Sequence, residues 1–257
     1  MVIGRLFSGL RRMRDERTLR RRAIPDDLWD LTVARYPFIG RRSADDLESL
    51  RDLATLFLAQ KEFHGAQGFE ITDEIAVAIA AQACLPILRL GLVHYDGFVG
   101  IVVHPDEVVA RREVVDEDGV VHLYDETVTG EAMEGGPVML SWHDVATAGE
   151  SAEWGYNVVI HEFAHVLDMG DGAANGIPPL ANRAAREAWA EVLGAEFNDF
   201  CYRVDAGFDT LLDPYGAEGM DEFYAVASEV FFVAPGDLRM EHPALYDLFA
   251  GYYQQNP

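Results

Sequence analysis

Residues 161–165, of the form His-Glu-x-x-His, constrain the fold of this chain more than any other segment. On an α-helix, residues four apart lie on one face, so both imidazoles can reach one metal ion. Glu162 lies beside that pair, where it can act as general base toward water. Apolar residues flank the run, and Gly170 and Gly172 mark the expected end of the helix. The run therefore predicts a metal-binding helix; the simpler alternative is a helix with two partly buried histidines that bind nothing.

The composition indicates a folded protein in a reducing compartment. At 257 residues, with 49% apolar and 11% aromatic residues, the chain can bury a full core. No continuous apolar run reaches the roughly 18 residues of a membrane span, the longest candidate being the broken stretch at residues 75–92, and residues 1–22 lack the apolar stretch of a secretion signal. Cys84 and Cys201 are far apart and typical of reduced core residues. We therefore expect a cytoplasmic protein with no membrane partner.

Charge divides the chain into a basic N-terminal segment and an acidic body. The net charge is −24, yet residues 1–22 hold eight Arg against Asp15 and Glu16. The body is therefore strongly anionic and repels phosphate backbones, which excludes nucleic acid as a natural partner. We expect residues 1–22 to form a mobile, solvated N-terminal helix; the alternative is an arm that docks on a partner. Residues 23–257 are expected to form a single domain, helical over 23–92, with the sheet and the metal site in 93–257.

The spacing of apolar residues predicts an α+β fold that is mostly helical. Helices are predicted at residues 44–60, 73–90, 156–168, 180–203, 220–233 and near 243–253. Short Val-rich segments bounded by Gly, Asp or Pro predict strands at residues 97–104, 120–128 and 137–142. We expect these strands to form a small antiparallel sheet beside the metal helix. The edge strand of such a sheet could hold an extended peptide through main-chain hydrogen bonds.

A catalytic zinc site needs a third protein ligand and one open position. Glu229 is the best candidate, because the helix around it is otherwise apolar and a buried carboxylate requires a cation. The alternative for Glu229 is an exposed position on a helix surface. Asp168 shares the face of the two histidines and could orient an imidazole by accepting its free N–H. The alternative for Asp168 is a helix-terminal residue that is bonded locally.

Several ordered blocks of this sequence resemble the Mlc titration factor A family of cytosolic bacterial zinc peptidases. The zinc helix is one of them, in the segment Asn-Val-Val-Ile-His-Glu-Phe-Ala-His-Val-Leu-Asp at residues 157–168. The other blocks lie at residues 57–61, 67–70, 84–86, 90–92, 95–98, 136–142, 171–172, 176–178, 213–217, 223–232 and 252–257.

The resemblance implies a fold, a site and partners. It implies that His161, His165 and Glu229 bind one zinc ion, that Glu162 is the catalytic glutamate, and that His122 can occupy the remaining metal position. The zinc site is expected to be of the gluzincin type, similar to that of the anthrax lethal factor catalytic domain. The family also implies a peptide or protein substrate, with activity of aminopeptidase type, and a sugar-uptake repressor called Mlc as a protein partner.

The mechanism that we expect is metal-assisted hydrolysis of a peptide bond, with Glu162 transferring a proton from water to the leaving amine. Tyr215 is the candidate donor to the oxyanion; its alternative is a packed turn residue. Two other functions remain open. One is a regulatory binding protein with a closed zinc site that includes His122, and the other is a different zinc hydrolase such as a deamidase. The retained Glu162 favours hydrolysis, since a structural site needs no carboxylate there.

Overall fold

A computed structural model of the chain describes residues 2–115, 121–133, 135–172 and 174–257. Within these ranges, the side chains of residues 2–11, 108–115, 121–128 and 153 lie outside the description. The helices are α1 (Val2–Arg22), α2 (Asp26–Arg35), α3 (Pro37–Gly40), α4 (Ala44–Leu58), α5 (Asp73–Cys84), α6 (Trp142–Ser151), α7 (Val158–Asp168), α8 (Arg183–Asp205), α9 (Met220–Val233), α10 (Pro235–Glu241) and α11 (Pro243–Tyr253).

The strands form a four-stranded sheet and a separate hairpin. They are β1 (Glu62–Gly65), β2 (Gly100–His104), β3 (Val108–Val115), β4 (Val121–Val128), β5 (Gly130–Ala132) and β6 (Val138–Ser141). The sheet has the order β1-β2-β6-β5, in which β1, β2 and β6 are parallel and β5 runs antiparallel to β6. β3 and β4 pair with each other in antiparallel register.

The α+β class is confirmed, but the prediction of an antiparallel sheet is wrong for three of these strands. Helix α5 lies between β1 and β2 in the chain, and a connection of that length allows the second strand to run parallel to the first. The antiparallel arrangement holds for the β3–β4 hairpin and for β5 against β6. Strand β1 was not predicted, because its sequence Glu-Phe-His-Gly lacks a run of β-branched residues.

One of the N-terminal helices is shorter than the predicted one. The helix expected over residues 73–90 ends at Cys84, because Pro86 has no N–H with which to continue the ladder of helical hydrogen bonds. The Arg-rich segment forms α1, which contacts α4. Within the part of the chain that the structure describes, no helix is both long and apolar enough to cross a membrane.

Helix α7 lies at the centre of the core and fixes the position of the His-Glu-x-x-His residues. It packs against α9, α5, α6, β5 and β6. Its Phe163 ring lies 5.0–5.8 Å from the rings of Phe57, Tyr95 and Phe98, measured between centroids. At the start of the helix, the Asn157 side chain accepts the backbone N–H of Ile160 at 2.9 Å, which satisfies one free donor of the first turn. The helix is therefore held firmly while one of its faces remains available.

Candidate metal centre

That available face of α7 presents two imidazoles to the same point. The rings of His161 and His165 lie 4.9 Å apart between centroids, and their Nε2 atoms are 3.2 Å apart. The two residues are one helical turn apart, so the helix itself sets this separation. Both side chains are mostly buried, with about a tenth of their surface exposed (12% and 11%).

Glu222, in the first turn of α9, supplies the third atom of the cluster. Its Oε2 lies 3.1 Å from His161 Nε2 and 3.3 Å from His165 Nε2. A tetrahedral zinc site with bonds of about 2.0 Å separates its ligand atoms by about 3.3 Å. The two nitrogens and the oxygen are therefore spaced as three corners of such a site, and this set of donors suits zinc.

Glu229 lies on the same face of α9, two turns further along, but on the other side of His161. Its Oε1 is 2.8 Å from His161 Nδ1, the ring nitrogen that faces away from the cluster. Its Oε2 accepts the backbone N–H of Asn157. The carboxylate is 2% exposed and does not join the three-atom cluster. Sequence reasoning placed Glu229 among the ligands and missed Glu222, although a spacing of seven residues puts both on one face of the helix.

The charges of the cluster depend on one another. Burial alone would raise the pKa of Glu222, but hydrogen bonds from His161 and His165 lower it to about 2. Burial lowers the pKa of His161, whereas its bonds to Glu222 and Glu229 outweigh that and raise the pKa well above the usual value. The imidazole is thus held in its cationic form between two carboxylates. A metal ion bound at Nε2 would replace the proton there and supply the positive charge that the two carboxylates favour.

Glu162 projects into the space beside the cluster and is only 4% exposed. Burial raises its pKa to about 7, while the neighbouring His161 lowers it in part. Gly130 of β5 makes room for this side chain, because a Cβ atom at position 130 would lie 2.5–2.8 Å from three atoms of Glu162. A carboxyl group with such a pKa can accept a proton near neutral pH and release it again.

Three further predicted residues can be located. Tyr215 lies in the turn Pro214–Ala217, with its ring 6.1 Å from that of His161, so the structure brings it to the site. Asp168 accepts the backbone N–H groups of Asn175 and Gly176 at 2.8 and 2.7 Å, which is the local bonding left open as its alternative. His122 lies in β4 opposite Val114, and its side chain lies outside the described residues.

A cavity of about 580 Å³ opens onto these groups. One wall is strand β5 with Thr129 before it, and the opposite wall is α9 with the turn that contains Tyr215. Since β5 pairs with β6 on one side only, it is an edge of the sheet among the described strands. Further carboxylates line the cavity at Glu107, Asp144 and Asp221, and none of the described lining residues is Lys or Arg.

The sequence was compared with known proteins. A family described as glucose-regulated metallo-peptidase M90 matches residues 10–254. A protein of Synechocystis sp. that is described as uncharacterised is 36% identical over 244 residues, which cover 94% of this chain and 88% of that protein. Mlc titration factor A of Enterobacter sp. is 35% identical over 238 residues (91% and 88%), and that of Salmonella choleraesuis 36% over 234 residues (89% and 86%).

Proposed function

The chain belongs to the glucose-regulated metallo-peptidase M90 family, and from that premise we propose that it hydrolyses peptide bonds with one zinc ion. The predicted resemblance to the Mlc titration factor A family is confirmed, and the family implies a metal. The observation that supports zinc hydrolysis best is the convergence of His161 Nε2, His165 Nε2 and Glu222 Oε2 beside the buried Glu162. We assign those three residues as the ligands.

Glu229 acts on the metal through His161. Its carboxylate accepts the Nδ1–H of the ring, which fixes the tautomer and leaves the Nε2 lone pair for the ion. The Asn157 N–H holds the second carboxylate oxygen in place. This assignment replaces Glu229 by Glu222 as the third ligand, because one imidazole cannot present Nδ1 and Nε2 to the same ion.

Glu162 is the general base of the proposed reaction. A bound zinc ion would polarise the scissile carbonyl and lower the pKa of water at the open position. Glu162 takes the proton of the attacking water and passes it to the leaving amine. Tyr215, whose ring lies beside His161 in the cavity wall, donates to the oxyanion.

Strand β5 positions the substrate. The edge of β5 that pairs with no other described strand lies along the cavity, so an extended peptide can add to the sheet there through main-chain hydrogen bonds. Gly130 lets the peptide backbone and Glu162 approach each other closely. By the name of the relatives, a repressor of the Mlc type is a candidate protein partner. Size-exclusion chromatography of the mixed proteins would test it, and separate elution would contradict it.

Replacement of Glu162 by Gln tests the proposed chemistry. The change removes the base and leaves the three ligands, so zinc content should stay near one equivalent per chain while turnover of amino-acid anilides and short peptides falls about a hundredfold or more. Tyr215→Phe should keep the metal and lower turnover by a smaller factor, on the order of tenfold to a hundredfold. A chelator-treated sample is the control for metal dependence. Unchanged turnover in Glu162→Gln would exclude hydrolysis at this site.

A further inference from the structure

A second pocket, of about 300 Å³, lies next to the cavity and differs from it in chemistry. Its walls come from the end of α7, the turn after β5 and the segment around Phe98. Apolar side chains dominate the lining, among them Val93, Phe98, Met133 and Leu167, and none of its described lining residues is acidic or basic apart from His94. The pocket therefore favours apolar groups of a ligand, which the acidic cavity does not.

The pocket and the cavity share one wall residue. Met169, which directly follows α7, lines both of them. On the side of the sheet, Ala132 lines the cavity and the next residue, Met133, lines the pocket. The chain at the end of β5 therefore leads from the lining of the cavity to the lining of the pocket.

The strand geometry sets the distance between the reacting position and the pocket. Gly130 lies against Glu162, and Met133 is three residues further along the chain. An extended chain advances about 3.3 Å per residue, so the pocket begins about 10 Å from the position opposite Glu162. A peptide paired with β5 would place over the pocket a side chain that is two to four residues from the scissile bond.

Exposed apolar side chains at the rim of the pocket suit an apolar side chain of a bound peptide. Val93 is 53% exposed and Met133 is 42% exposed, and an apolar ligand would remove part of both surfaces from water. Phe98 and Leu167, which are almost fully buried, form the deeper wall. Methionine side chains adapt to differently shaped apolar groups, so Met133 and Met169 allow more than one residue type.

We propose that this pocket is a specificity subsite that binds a large apolar side chain, of the Leu, Met or Phe class, about three residues from the scissile bond. The proposal rests on the proposed peptidase function. It assigns to the enzyme a preference that the metal centre alone does not provide, since the ligands and Glu162 contact only the reacting bond.

Gly97 offers a variant that fills the pocket without disturbing the site. A Cβ atom at Gly97 would meet no atom within 4 Å, and the backbone there is not in the left-handed region. Gly97→Leu should therefore fold normally and occupy the subsite. Gly251, in α11 and outside both cavities, also has open space around its Cβ position, so Gly251→Leu is the matched control. Val93→Ser, which makes the rim polar, is a second variant against the subsite.

The experiment uses nine-residue peptides of Ala and Ser that contain a single Leu, moved through every position, and one peptide without Leu. Mass spectrometry identifies the hydrolysed bond and the rate. We expect hydrolysis of the wild type at a fixed offset of about three residues from Leu, with kcat/KM on the order of tenfold above the Leu-free peptide. If only the terminal bond is hydrolysed, the same preference appears as the Leu position that gives the highest rate.

Gly97→Leu and Val93→Ser should lose this preference and hydrolyse the Leu-free peptide at the wild-type rate, whereas Gly251→Leu should keep the preference. An equal preference in Gly97→Leu and wild type, or rates that are independent of the position of Leu, would overturn the subsite alone. Failure of the wild-type, zinc-loaded protein to hydrolyse any peptide, including the Leu-free one, would overturn the proposed function and the subsite with it.

Discussion

The first turn and the middle of α9 each place a glutamate at His161, in opposite environments. Glu222, in the first turn, has a side chain that is 21% exposed and contacts the Nε2 atoms of both histidines. Glu229, two turns later, has a side chain that is 3% exposed and contacts Nδ1 of His161 alone. In the proposed site, one helix therefore supplies a ligand to the ion and a hydrogen-bond acceptor to His161, which is another ligand.

Under the proposed assignment, this difference means that burial is a poor criterion for a metal ligand. A buried carboxylate needs a positive or hydrogen-bonding partner, but an imidazole N–H and a backbone N–H meet that need for Glu229. A catalytic ligand must instead border an open position that substrate and water can reach. Both glutamates line the cavity, but only Glu222 places an oxygen beside the Nε2 atoms of both histidines, whereas Glu229 contacts Nδ1 of His161.

Glu222→Gln should produce the largest effect on the metal. The amide has no charge and is a weak zinc ligand, so we expect zinc affinity to fall by more than the roughly 10–100-fold that is typical of changes to groups behind a ligand. Hydrolysis should fall with the metal. The measurement is zinc content after dialysis against a graded series of chelator concentrations.

Asp221→Asn is the matched control for Glu222→Gln. Asp221 is the preceding residue, lines the same cavity and does not belong to the three-atom cluster. It should retain zinc as the wild type does. Equal losses in the two variants would mean that the summed negative charge of the turn, and not ligation by Glu222, holds the ion.

Local patterns account for much of the fold. The predicted ranges 220–233 and 243–253 agree with α9 and α11, and α7 begins two residues after its predicted start, because apolar spacing and capping act within the helix itself. The parallel pairing of β1 with β2 joins Glu62 to Gly100, and no local pattern contains such a contact. Pairing between distant strands is decided by packing in the complete domain.

The candidate site, like the fold, was predictable where it depends on a local sequence pattern. His161, Glu162 and His165 form one helical motif, and their common site follows from the spacing. Glu222 follows Asp221 in a first helical turn, where acidic residues are common because they interact favourably with the helix dipole. Its sequence context therefore gives no sign of a ligand. The choice between Glu222 and Glu229 requires the relative placement of α7 and α9.

Compared with Glu222→Gln, Glu229→Gln should lower zinc affinity less and should lower the stability of the metal-free protein more. An amide can accept from only one of the two donors, His161 Nδ1–H and Asn157 N–H, and faces the other with its own N–H₂ group. We expect zinc affinity to fall about 10–100-fold. The free energy of unfolding should fall by about 1–3 kcal/mol, since a buried donor is left without an acceptor.

Denaturant unfolding of the metal-free proteins measures the free energy of unfolding. Glu222 is partly exposed, so Glu222→Gln should change the unfolding midpoint less than Glu229→Gln does. The two variants should therefore rank in opposite orders for zinc retention and for stability without metal. The same order in both measurements would contradict the division of roles along α9.

His122→Ala should have the smallest effect on zinc retention. This variant tests whether a fourth protein ligand closes the site. The family resemblance implies that a histidine of this strand can occupy the remaining metal position, in which case only the open fraction of molecules turns over substrate. We then expect His122→Ala to raise peptidase turnover severalfold and to weaken zinc retention modestly. His64→Ala is the control, because His64 lies in another strand with its side chain 64% exposed. Turnover and zinc retention equal to those of the wild type would exclude His122 as a ligand, whereas loss of stability without a gain in turnover would support a closed structural zinc site.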